Sequence, residues 1–148
     1  MNPYANPSAA ARWYHVVCTT YRRRELLKIP ATARFCERSI RDSCRFPGWT
    51  VYAVCVSPTQ VRLLVKTPPR LRRGEVIRKV KKAAAPVVRN TGSATPWYRP
   101  IWGDKSWCFA LRNAAAVTSV QRHIIQQSQG RTLLPAFTDT LLWSQALP

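Results

Sequence analysis

Residues 49–56 read WTVYAVCV, apolar at odd and even positions alike. A strand sends successive side chains to opposite faces. This run therefore has no face to give to water, and it predicts a central strand of a sheet covered by helices. Ser57-Pro58-Thr59 then turns the chain into QVRLLVK at 60–66, which makes a hairpin. In that second strand Val61, Leu63 and Val65 share one face, and Gln60, Arg62 and Lys66 share the other.

The rest of the chain has to cover this hairpin. RWYHVVCTTY at 12–21 is β-branched and aromatic and predicts another strand, followed by the basic connection YRRRELLKIP. Phe35, Ile40 and Cys44 are spaced for a helix over 31–46, ended by PGW. A second helix is predicted over 72–85, with Val76, Ile77, Val80, Ala83 and Ala84 on one arc and Arg78, Lys79, Lys81 and Lys82 opposite; Pro86 ends or kinks it. TPWYRPIWGDKSWCFAL reads as two short strands around a Gly103-Asp104 turn. A last helix over 114–129 places Val117, Val120 and Ile124 inward.

This order predicts an α+β domain, a ferredoxin-like antiparallel sheet with helices packed on it. The domain is expected over 12–130, after a mobile tail at 1–11 and before a C-terminal extension at 131–148 that adds a short helix on the surface or on a partner chain. One domain is what 148 residues suggest.

Charge narrows the partner. The 24 Lys and Arg stand against 6 Asp and Glu, a formal net charge of +18, so too few acids exist to read the basic residues as halves of ion pairs. The partner expected is a polyanion, and nucleic acid fits best, because Arg outnumbers Lys and suits bidentate phosphate contact. No segment is long and apolar enough to span a membrane. The phosphate contacts expected are Arg22, Arg23, Arg24, Arg62, Arg70, Arg72, Arg73, Arg78, Lys79, Lys81 and Lys82, with Trp97, Tyr98, Trp102 and Trp107 as candidates to stack a base. Five cysteines without a C-x-x-C pair, and without a preceding leader, read as reduced, mostly buried thiols of a cytoplasmic protein. Only two histidines, His15 and His123, are present, which excludes a site built from several.

YHVVCTTYRR, VYAVCVSPTQVRLLVKTP, RKVKKAAAPVVR, IWGDKSWCFAL and VQRHIIQQ, in that order and spacing, resemble the single-tyrosine HUH transposases, including relatives associated with repetitive extragenic palindromes. The likeness runs over roughly 12–130. It implies a protein that meets single-stranded or hairpin DNA as a homodimer, nucleoid-associated if bacterial; its role stays open between repressor, chromosome-organising protein, component of a larger nucleoprotein assembly and product of a decaying gene. Members of that family nick DNA with a metal held by His-hydrophobic-His on a strand and by a Gln on the last helix, which also carries the attacking Tyr.

Here those positions are Gln60-Val61-Arg62, with His123 where the Tyr stands and Gln127 four residues on. A guanidinium stays protonated and has no acceptor, so Arg62 cannot ligate a cation. The expectation is a dismantled catalytic centre: no metal, no cofactor, no nucleophile, and a DNA-binding function that remains. Three alternatives stand beside it. Gln60 and Arg62 are an ordinary solvated strand face; His123 and Arg62 form a rebuilt, metal-independent strand-transfer site; or the partner is RNA. His15 is expected to be a packed or capping residue rather than part of a metal site with Gln127.

Overall fold

The computed structural model describes residues 11–45, 48–90 and 100–129. Its elements are β1 (Arg12–Thr20), a 3-10 turn (Tyr21–Arg23), α1 (Pro30–Arg45), β2 (Thr50–Ser57), β3 (Gln60–Thr67), α2 (Arg73–Asn90), β4 (Trp102–Leu111) and α3 (Ala114–Gln129). The four strands form one antiparallel sheet in the order β2-β3-β1-β4. That is the ferredoxin-like order, with α3 added. Both expected tails fall largely outside the described residues, as do Trp97 and Tyr98.

Alternation along the strands sorts the core into two unequal parts. Tyr14, Val16 and Cys18 of β1, Val61, Leu63 and Val65 of β3, and Val54 and Val56 of β2 bury against Ile40 of α1 and Val76, Val80 and Val88 of α2. On the other face α3 sits mainly over β2 and β3, through Ala53, Cys55, Leu64, Val117 and Ile124. All five cysteines are buried and none is in a disulfide. Burial pushes the thiols of Cys18 and Cys36 up to about 12, which leaves them protonated and unreactive.

Four local expectations are corrected. The doubly apolar run at 49–56 is an edge strand, not a central one. It is apolar on both faces because α1 covers one and α3 the other; layers decide burial, whereas the edge is a matter of hydrogen bonding alone. Phe35 does not face the core but is 46% exposed beneath the Arg38 guanidinium, and Cys36, Ile40 and Cys44 form the buried stripe. α2 runs through Pro86 to Asn90. Val88 beyond the proline is completely buried, and the nearby Ala83 carbonyl accepts a hydrogen bond from the Ser39 hydroxyl of α1 at 2.5 Å, so packing outweighs the lost helical bond.

Gly103 and Asp104 do not turn between two strands; they lie inside β4. Cys18 pairs with Ser106 and Thr20 with Trp102, so β4 spends four steps where β1 spends two. This bulge brings the backbones together, and a Cβ on Gly103 would sit 3.2 Å from the Thr20 carbonyl oxygen.

Candidate nucleic-acid site

The β1–β3 register sets Thr19 directly opposite Gln60, and the Gln60 side-chain amide donates to the Thr19 hydroxyl at 3.3 Å. Arg62, two residues on and on the same face, donates through Nε to Gln60 Oε1 at 3.0 Å. Its Nη1 reaches His123 Nε2 at 3.4 Å. Arginine only donates, so this contact requires a neutral imidazole with its proton on Nδ1. Gln127, one turn further along α3, lines with Cys55, Ser57, Gln60 and Arg62 a cleft of about 270 Å³. The fold thus brings Gln60, Arg62, His123 and Gln127 together.

The chemistry of this set does not fit a divalent cation. The Gln60 carbonyl is occupied by the guanidinium, Arg62 offers no lone pair, and its positive charge lies in the cleft. Among the described residues no group of three His, Cys, Asp or Glu could hold a metal either. What the cleft can do is present N–H donors and a fixed positive charge to an anion.

His15 lies on the same face, its ring 6.0 Å from that of Phe109 and its Nε2 without a hydrogen-bond partner among the described residues. Burial, and then chiefly the Arg62 guanidinium, lower its pKa to about 4. The unfolded chain takes up this proton below about pH 6.5, while the folded chain resists until about 4, so stability declines as pH falls through that window and levels off beneath it. The side chain is partly exposed, and after discounting for screening the loss is roughly 1–2 kcal/mol. Urea denaturation of the natural chain and of His15→Gln at pH 7 and pH 4 checks this: the variant is expected to lose less stability by that amount, and equal losses would refute it.

The family model for IS200-like transposases matches residues 8–127. The chain belongs to this family. No curated protein matches it. Among solved structures, a Deinococcus radiodurans R1 protein described as a transposase is 20% identical, with a TM-score of 0.62 over 83% of this chain and 95% of its own. A REP-associated tyrosine transposase, solved bound to a REP hairpin, is 19% identical, with a TM-score of 0.55 over 84% of this chain and 69% of its own. At these identities the two structures establish the fold.

The basic residues of this IS200-like chain do not converge on one surface. Arg22, Arg23 and Arg24 are exposed at the end of β1, the end that holds Thr19 and Gln60. Arg22 and Arg23 both lie at φ 54°, in the left-handed region, and the Thr20 hydroxyl pins the turn by donating to the Arg24 carbonyl at 2.6 Å. Arg78 and Lys82 are exposed on α2, across the sheet from Arg62. Lys79 and Lys81 are half-buried rather than solvent-facing. Lys81 donates to the Gly103 carbonyl at 3.3 Å, and its backbone carbonyl accepts from Trp102 Nε1 at 3.1 Å. Trp102 is thereby a packing residue.

Trp107 is exposed, as a stacking residue has to be, and Phe109 beside it is exposed too. Sequence reading passed over Phe109, although Lys105, Trp107 and Phe109 alternate with the inward Cys108 and Ala110; placing the strand break at Gly103-Asp104 hid that alternation. Arg12 and Arg112 were passed over as well, being single residues at strand ends whose neighbours only the fold supplies.

Proposed function

We propose that this IS200-like protein is a non-catalytic DNA-binding protein that grips the backbone of single-stranded or hairpin DNA. The observation that carries this reading is the Arg62 guanidinium, bonded to Gln60 and to His123 at the positions the resemblance gives to the metal ligands and the nucleophile. A charge held there by two partners suits a phosphate oxygen, yet it supplies neither a Lewis acid nor an attacking oxygen. The net charge of +18 and the hairpin-bound structural relative favour DNA as the partner. The homodimer of the resemblance is part of the reading, to be checked by sedimentation with and without DNA.

The protein is expected to bind labelled hairpins carrying a single-stranded flank, with affinity falling steeply with salt. About 6 phosphates neutralised correspond to a slope of log affinity on log salt near −4 on single strands. A denaturing gel is expected to show no covalent protein–DNA adduct, with magnesium or manganese added. An adduct that disappears in His123→Ala would replace this reading by the metal-independent enzyme. Competition by a matched RNA hairpin as effective as the DNA would overturn the DNA assignment.

A further inference from the structure

At the end of the sheet remote from Gln60 and Thr19, the chain encloses a second basic feature. The start of β1, the end of β4, the segment leading into α2 and the start of α3 surround a cavity of about 820 Å³. Arg12, Arg70, Arg72, Arg73 and Arg112 line it, and no acidic residue among the described ones does. The carboxylate of Glu75, just inside α2, accepts from the Arg72 backbone N–H at 3.2 Å and so caps the helix. The ion pairs Glu25–Lys28, Glu37–Arg41 and Asp42–Arg45 involve none of the five arginines. Five like charges around one hollow repel each other, and an anion in the hollow relieves that repulsion.

Two details show that the wall is held in place. Tyr14, almost wholly buried, donates its hydroxyl to the Leu71 carbonyl at 3.3 Å, which ties the 70–73 segment to β1. Arg70 follows Pro68-Pro69 at φ 73°, a backbone conformation that glycine adopts at lower cost. The position thus carries a guanidinium in spite of the strain. Trp13 also lines the cavity, but Tyr52 packs on its ring at 4.6 Å and the Lys66 ammonium lies 5.4 Å from the ring centre. It therefore serves as a wall rather than a free stacking surface, which leaves the guanidinium groups to meet a ligand.

Resting on the nucleic-acid reading above, we propose that this cavity is a second anchor for the backbone of a single-stranded segment whose other anchor is the Arg62 cleft. A cavity of this volume is in the range that takes small ligands. From Thr19 to Arg12 β1 advances seven residues, about 23 Å at the strand rise, or roughly seven nucleotides at a stacked rise of 3.4 Å. Between the two anchors lies the half of the sheet face that α3 leaves uncovered. There Phe109 pairs with His15 and Trp107 with Val17, and the two aromatic rings are 49% and 41% exposed. A strand crossing this face has rings to stack on between two phosphate grips.

Fluorescence anisotropy with labelled oligo-dT of 4, 7, 10 and 14 nucleotides tests this on the full chain. The natural protein is expected to gain about tenfold or more in affinity between 4 and 10 nucleotides, as the second contact becomes intramolecular. Arg12→Ala with Arg112→Ala is expected to abolish that gain and to make the salt slope on the 10-mer shallower by about 1.4. A charge-matched control on α1, Arg34→Ala with Arg38→Ala, is expected to keep the gain. Arg70→Gly guards against a folding artefact: it is expected to melt no lower than the natural chain while binding the 10-mer several-fold more weakly. A natural length dependence and salt slope in the Arg12/Arg112 variant, or natural affinity in Arg70→Gly, would overturn the cavity anchor while leaving the nucleic-acid reading intact. If the natural protein bound none of the oligonucleotides and no hairpin, both would fall.

Discussion

Gln60→His combined with Arg62→His is expected to give a protein that takes up one manganese or cobalt ion per chain, where the natural chain takes up none. The two residues lie two apart on one strand, about 7 Å between Cα atoms, and their side chains already meet at 3.0 Å. Gln127 lines the same cleft from α3. The exchange supplies two imidazoles beside an amide oxygen and removes the guanidinium charge that opposes a cation. Adding His123→Tyr returns a phenol to the helix face shared with Gln127. Groups that orient the imidazoles have not been supplied, so metal uptake is expected first and any cleavage to be weak. Titration calorimetry decides it: the same heat as the natural chain, in a variant whose circular dichroism is native, would mean that these three side chains cannot share an ion.

The second large effect concerns α3, which carries Gln127 of the cleft and the His123 that meets Arg62. Its attachment to the sheet is the small cluster around Leu64 and Ile124, both completely buried. Ile124→Ala removes three methyl or methylene groups from a cluster with little else to close over the gap, for an expected loss of about 3 kcal/mol. That is a large fraction of the 5–15 kcal/mol that holds a typical domain together. The loss is expected to fall first on α3, because the opposite core of α1, α2 and the sheet shares no buried residue with this cluster. Urea denaturation measures the total, and hydrogen exchange locates it: α3 amides are expected to lose protection while those pairing β1 with β3 keep theirs. Uniform loss across the sheet would show that α3 and the larger core unfold as one unit.

How far the sequence carried can be argued residue by residue. Alternation in QVRLLVK put Gln60 and Arg62 on the face away from Val61, Leu63 and Val65, and the structure has them there. The i, i+4 spacing put His123 and Gln127 one turn apart on one side of a helix; Gln127 lines the cleft and His123 meets Arg62. The errors share a cause. Pro86, Gly103 and the doubly apolar 49–56 run were judged by local rules, and in each case contacts with distant residues decided otherwise: Val88 in the core, the Thr20 carbonyl against Gly103, and α3 lying over an edge strand.

By itself the sequence determined the three helices, the strands β1, β2 and β3 and the apolar face of β3, because periodicity and turn chemistry act between near neighbours along the chain. It also determined the net charge of +18, which favours an anionic partner, since charge is a sum over residues and needs no fold. Only the tertiary structure decided where those charges stand. It set Arg62 against His123, residues 61 apart in the chain, half-buried Lys79 and Lys81, and gathered Arg12, Arg70, Arg72, Arg73 and Arg112 from three separate segments around one hollow. Such juxtapositions follow from strand order and from which helix covers which face. Those are settled by the packing of the whole core, and no stretch of local pattern encodes them.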